Sequence, residues 1–507
     1  MRKYPIGIQD FKEIRKGGYL YIDKTQLIHT LIESGKYYFL SRPRRFGKSL
    51  LLSVIKEVFQ GDRDLFKGLW IEEHWDWNVR NPVIHLRLSQ LPYKELGLEK
   101  ALSQELDAVA GEMGLTLKGS YSKEKFRELI QKAAETAKVV ILIDEYDKPV
   151  IDFLDELPKA KENRDIFKSF YSVLKDADEY IQFLMITGVS KFTQVSIFSD
   201  LNNLRDLTLS PPFATLTGIT QGELETNFAE EIRELQQKDA AILQEIRNWY
   251  NGYSWDGENK VYNPFSVLNF MSDRRFRNYW FATGSPSFLV KELRKNKEFQ
   301  FDELRLGELS LGNFDIERIS AVPLLFQTGY LTIRSYDDRR RIYTLGYPNK
   351  EVEASLLDVL LSAYREVYPK DSFALTEDME MALEAGDMSK VIMLLNDLIS
   401  SIPYDHWKAD VESIFHIIVH LTFRRIGVDL QSEVHSAHGR CDAIIQTAKY
   451  VYVLEFKLDG SAQEAVDQIL KKGYLEPFRS DTRKKLAVGI DFSSRERKVK
   501  EFLVKET

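Results

Sequence analysis

Arg440-Cys441-Asp442 and, thirteen residues beyond the aspartate, Glu455-Phe456-Lys457 could bring two carboxylates and an ammonium to one point on neighbouring strands. Such a set suits metal-dependent phosphodiester cleavage. Mg²⁺ takes oxygen ligands and keeps several waters, so Asp442, Glu455 and the Phe456 carbonyl suffice as a partial shell. A metal ion generates a strong nucleophile from bound water near neutral pH, and Lys457 would orient it or stabilise the charge on phosphorus. Glu412 or Glu433 could complete the shell, and Gln468 could orient Lys457 or a phosphate. A second phosphate signature lies near the N-terminus, Arg42-Pro43-Arg44-Arg45-Phe46-Gly47-Lys48-Ser49. In a phosphate-binding loop Lys48 would contact the β and γ phosphates and Ser49 would hold Mg²⁺, although the general pattern GxxxxGK[ST] asks for glycine where this chain has Arg42.

The elements around the N-terminal signature supply its other half. Tyr37 to Leu40 reads as a strand, Ser41 to Gly47 as a polar loop, and Leu50 to Phe59 as a helix. Val139-Val140-Ile141-Leu142-Ile143 is continuously apolar, as a strand buried on both faces of a parallel sheet requires. It ends in Asp144-Glu145-Tyr146-Asp147, at the sheet edge where open α/β sheets bind ligands. Asp144 is expected in the Mg²⁺ shell, with Glu145 polarising the attacking water. Val83 to Leu88 and Ile181 to Ile186 fit the same sheet. Thr187, at the tip of the latter, would sense the γ-phosphate, and Lys191 is a second candidate.

Met1 to about Leu209 resembles the bacterial AAA-ATPase-like family, a branch of P-loop NTPases that carries RPRRFGKS in place of a glycine-led loop. The resemblance rests on Gly7 to Phe11, Tyr21 to Thr25, Asp144 to Pro149, Thr187 to Phe192 and Leu201 to Leu204. It implies ATP binding; Arg44 and Arg45 could reach the phosphates from the loop itself or stand as surface arginines beside the ATP site. Farther on, a helix at Glu412 to Arg425 precedes Gly427 to Val434, Gly439 to Ile445, Tyr450 to Ser461, a helix at Ser461 to Lys472 and a strand at Lys485 to Ile490. This order and the D…ExK spacing resemble the PD-(D/E)xK nuclease superfamily. That resemblance implies Asp442, Glu455 and Lys457 as catalytic and metal-binding residues.

The expected fold class is therefore α/β, a P-loop NTPase with a parallel sheet, a lid, and a restriction-endonuclease-like domain. The expected division is 1–210 for the P-loop domain, 211–345 for a helical or winged-helix-like lid, 346–405 for a helical connector and 406–507 for the nuclease-like domain. The aromatic run Trp249 to Trp255 reads as lid core. Of the histidines, His416 and His420 share a helix face and lack partners for a zinc set, so they read as core or partly buried, while His435 and His438 precede Asp442 and could touch substrate.

Composition bounds the remainder. The net charge of −7 gives no global attraction to nucleic acid, so binding must use local basic surface such as Arg339 to Arg341 or the tail from Arg483 to Lys500. The bland account of each cluster is a solvated face. No apolar run reaches the roughly 18 residues of a membrane span, and Met1 to Gly18 has no signal-peptide core. One cysteine, Cys441, excludes an internal disulfide and fits a cytoplasmic protein. The expected cofactors are ATP and Mg²⁺. The expected partner is nucleic acid, DNA ahead of RNA, and a homo-oligomer is compatible with the sequence. Two functions fit: an ATP-regulated DNA nuclease, or a nucleotide-dependent switch or scaffold whose C-terminal domain binds nucleic acid or protein without cutting it.

Overall fold

A computed structural model of the chain describes residues 2–191, 198, 201, 203–281, 287–296, 299–307, 310–311, 320–366, 370–403, 407, 411–426, 431–436 and 439–507. The chain divides into two compact units, one of Met1–Phe288 with Phe301–Val352, the other of Leu289–Gln300 with Glu353–Thr507.

The first unit is built on a five-stranded parallel sheet. Its strands are β1 (Tyr37–Ser41), β2 (Val83–Arg87), β3 (Val139–Asp144), β4 (Ile181–Gly188) and β5 (Arg205–Asp206), in the order β2-β3-β4-β1-β5. The apolar run of β3 divides its side chains between the two faces. Val139, Ile141 and Ile143 enter one core and Val140 and Leu142 the other. The helix Lys48–Gln60 packs on the second face through Leu51, Leu52, Val54, Ile55 and Val58. Each such buried aliphatic contributes about 1.5–3 kcal/mol relative to exposure.

The middle of the chain belongs to this same unit. Two-residue strands β6 (Ile219–Thr220) and β7 (Val261–Tyr262) pair antiparallel. The stretch from Gln221 forms two helices, Gln221–Asn227 and Ala229–Gln236, and the ring of Phe228 between them is buried. Thr220 and Glu223 form a capping box at the first helix, and Asn263 caps the helix Pro264–Asp273. A three-stranded antiparallel sheet, β8 (Leu304–Gly307), β9 (Thr332–Asp337) and β10 (Ile342–Gly346), has the order β8-β10-β9.

The second unit holds β11 (Gln431–Ser436), β12 (Gly439–Gln446), β13 (Tyr450–Leu458), β14 (Lys484–Ser493) and β15 (Lys498–Glu506), ordered as numbered. Only β13 and β14 run parallel. Their crossover is the helix Ala462–Lys471, as parallel neighbours require. Gly489 on β14 lets that helix approach closely. A Cβ there would meet the Ala462 carbonyl at 2.2 Å. The helices Lys370–Ala385, Met388–Ser400 and Val411–Arg425 belong to this unit, as do most of Ser287–Asn296 and Lys350–Arg365. Among the described residues no helix is long and apolar enough to cross a membrane.

Candidate nucleotide and nuclease sites

In the first unit the loop between β1 and the helix Lys48–Gln60 ends at Gly47, whose φ of 84° leads the chain into the helix. Arg45 also has a positive φ, 67°. A Cβ at Gly47 would meet no atom within 4 Å, so the space over the helix N-terminus is open, and its backbone N–H groups suit an anion. The Lys48 ammonium is buried and donates to the carbonyl oxygens of Arg42 and Pro43, both at 3.0 Å. Burial lowers its pKa, while the carboxylates of Asp144, Glu145 and Asp147 act in the other direction.

Asp144 ends β3 and accepts a hydrogen bond from the Thr187 hydroxyl at 2.6 Å. Lys48, Asp144 and Thr187 thus meet at the carboxyl ends of β1, β3 and β4. Glu145 follows with φ 53°. Ser49 is half-buried and Arg44 and Arg45 are exposed. Lys191 is engaged elsewhere, its ammonium paired with Asp206 at 2.7 Å.

Two residues near this loop were not assigned a role from sequence. Asp147 is buried and accepts from the backbone N–H groups of Val189 and Ser190 and from the Ser190 hydroxyl, at 2.7–3.0 Å, so it fixes the exit of β4. Arg42 is fully buried. Its guanidinium donates to the carbonyls of Ser41 and Thr208, each at 2.9 Å, and of Phe213 at 3.4 Å, and lies 4.0 Å from the Trp255 ring centroid. Burial lowers its pKa to about 9. Arg42 therefore braces the loop from behind. Phe46 packs on Tyr253 and Trp255, and the Trp280 indole N–H donates to the Arg44 carbonyl at 3.2 Å, so the aromatic run expected as lid core grips the loop.

An apolar cleft adjoins Gly47, lined among others by Tyr21, Ile22, Phe46, Leu50, Gly218 and Leu268. Its walls join the Tyr21 to Thr25 segment to the first turns of the loop helix and to the middle region.

In the second unit the D…ExK residues converge. Ala443 pairs with Leu454 across β12 and β13, which sets Asp442 opposite Glu455, and Lys457 follows two residues on, so all three share one sheet face. The Phe456 N–H donates to Asp442 Oδ2 at 2.7 Å. Gln468 enters from the crossover helix. It accepts from Lys457 Nζ at 2.7 Å through Oε1 and donates through Nε2 to Glu455 Oε1. Lys457 Nζ stands 3.4 Å from the same Glu455 oxygen. Among the described residues Glu455 Oε2 is buried without a hydrogen-bond partner. Burial, then the charge of Asp442, raises the Glu455 carboxyl to about 7.

This donor set fits a divalent cation. Two carboxylates repel across one face, and one of their oxygens is buried and unsatisfied, which is costly without a cation or proton to meet it. The backbone carbonyl of Phe456 would add a third oxygen donor without a further side chain. Among the described residues no three His, Cys, Asp or Glu side chains gather as a complete ligand set. The side chains of Glu412, Glu433, His435 and His438 lie outside the described residues. His420 is largely buried and burial lowers its pKa to about 4, as befits a core histidine. His416 is exposed, 6.2 Å from the Phe456 ring centroid.

Fold and sites define a P-loop ATPase-like unit followed by a nuclease-like unit, and comparison with known proteins agrees. Residues 5–198 match the predicted AAA-ATPase family and residues 410–502 the PD-(D/E)XK nuclease superfamily. Over 517 aligned residues, covering 99% of both chains, the protein is 38% identical to an uncharacterized protein in the vnfD 5′ region of Azotobacter chroococcum mcd 1. The chain belongs to the family of that protein. No solved structure matches it.

Proposed function

We propose that the chain is an ATP-regulated, Mg²⁺-dependent nuclease acting on DNA in preference to RNA. The observation that carries this reading is the convergence of Asp442, Glu455 and Lys457 on one sheet face with Glu455 Oε2 left unsatisfied. Asp442 and Glu455 would hold Mg²⁺, and the ion, when bound, supplies Lewis acidity and a more acidic water. Lys457, held by Gln468 beside the carboxylates, stabilises negative charge on the scissile phosphate. The Phe456 N–H holds Asp442 through one of its carboxylate oxygens.

In the first unit Gly47, Lys48, Ser49 and Arg45 would take the phosphates of ATP, Ser49 and Asp144 its Mg²⁺, and the apolar cleft beside Gly47 the base. Thr187, bonded to Asp144, senses the γ-phosphate, and Glu145 orients the attacking water. The test is an assay of duplex and single-stranded DNA and of RNA with Mg²⁺, with and without ATP. Cutting that Lys457→Ala abolishes supports the proposal, and intact substrates under every condition refute it.

One observation favours a nucleotide-dependent switch that binds without cutting. Cations of the C-terminal tail are paired locally: Arg483 with Asp481 at 2.6 Å, Lys498 with Glu496 at 2.7 Å and Lys500 with Asp491 at 3.4 Å. That leaves less free positive charge for a polyanion. Mg²⁺ binding that is lost in Asp442→Ala and Glu455→Ala decides for the nuclease.

A further inference from the structure

A polar cavity of about 440 Å³ opens beside the first turn of the helix Lys48–Gln60. It is lined by Ile6 to Asp10, Glu13, Ser49 and Arg87. Arg87 ends β2 in register with Asp144 on β3. In-register neighbours of a parallel pair project from the same face, so Arg87 stands beside Asp144 on the face that carries the loop helix. The alternation along β2 agrees, since Val83 enters the core under that helix.

Arg87 is half-buried, and among the described residues it has neither a hydrogen bond nor an ion pair within 4.0 Å. Its charge acts on Glu105 and on His85. A half-buried guanidinium with five donors and no acceptor, facing a cavity shared with the serine of the loop, is arranged to meet an anion. On the opposite wall Asp10 is committed to capping, its Oδ1 accepting from the Glu13 N–H at 2.8 Å.

We propose that Arg87 is an arginine supplied by the chain itself to the γ-phosphate of ATP, approaching from the Ser49 side opposite Thr187. The proposal rests on the nucleotide reading of the first unit. Guanidinium and phosphate form paired, charge-assisted hydrogen bonds, and lysine matches that geometry poorly. The segment Gly7 to Asp10 then has a function, because it walls the cavity in which the contact forms.

The experiment compares binding of fluorescent mant-ATP and mant-ADP with Mg²⁺ to the full-length wild type, Arg87→Ala, Arg87→Lys and Lys48→Ala. Arg87→Ala is expected to weaken mant-ATP about tenfold and leave mant-ADP within twofold, with Arg87→Lys between. Equal loss for both nucleotides, or no loss for either, overturns the role of Arg87 while the nucleotide site stands. Should the wild type bind neither nucleotide, the site and the role fall together. Lys48→Ala separates the cases, since it should weaken mant-ATP and mant-ADP alike. Should Arg87→Ala lower the melting temperature, Arg87→Lys carries the comparison, and an ATP affinity equal to wild type with ADP unchanged counts against a paired contact.

Discussion

Glu455 couples folding, protons and metal in the second unit, and the coupling can be measured. Its carboxyl is 4% exposed and is raised from an ordinary 4.5 to about 7, first by burial and then by Asp442. A raised carboxylate is stabilising only while protonated. Its contribution is complete below about pH 4.5 and is lost as pH rises through about 7. At about 1.4 kcal/mol per pKa unit, the ionised carboxylate costs the unit up to about 3 kcal/mol at pH 8. Glu455→Gln keeps the shape and removes the charge, so it should abolish this slope. Hydrogen exchange of peptides spanning Tyr450–Leu458, corrected for intrinsic rates, reports the opening free energy of this region in the intact chain. In the wild type without divalent metal, opening should become easier by about 2–3 kcal/mol between pH 5 and 8. Addition of Mg²⁺ should recover protection at pH 8 and much less at pH 5, where a proton occupies the site. The same slope in Glu455→Gln as in the wild type would refute the reasoning, as would protection at pH 8 that Mg²⁺ and Mn²⁺ leave unchanged.

Mg²⁺ affinity, followed by calorimetry, should rise about tenfold per pH unit below 7 and level off above it, because binding displaces the Glu455 proton. Gln468→Ala should lower the rate of DNA cleavage by about tenfold or more without altering Mg²⁺ affinity comparably, since Gln468 holds Lys457 while also touching Glu455. Lys48→Ala should weaken ATP binding at least tenfold in an equilibrium titration. Arg42→Gly, which restores the glycine of the general motif, should lower urea stability of the first unit by about 3 kcal/mol through three lost carbonyl contacts, with no gain in nucleotide affinity.

What the sequence made legible follows from which interactions are local. The apolar run Val139 to Ile143 with its terminal Asp144, and the alternation that puts Glu455 and Lys457 on one side of β13, are periodicity rules that hold wherever a strand forms, so these sheets could be read in advance. The edge strand β15 was missed because Lys498 and Lys500, at its start, read as part of a basic solvated cluster. Edge strands carry such charges to resist further pairing. Arg42 shows the other limit. From spacing alone it is a departure from the phosphate-loop pattern, and only contacts with Thr208, Phe213 and Trp255, more than 160 residues away, reveal why a guanidinium stands there. A glycine-led loop is free to wrap phosphate because nothing fills the space behind it. Here an arginine fills that space and donates to three backbone carbonyls, so the loop's shape is set by the segment around Trp255. Any change in that segment must then be felt at Lys48, whose ammonium rests on the Arg42 and Pro43 carbonyls.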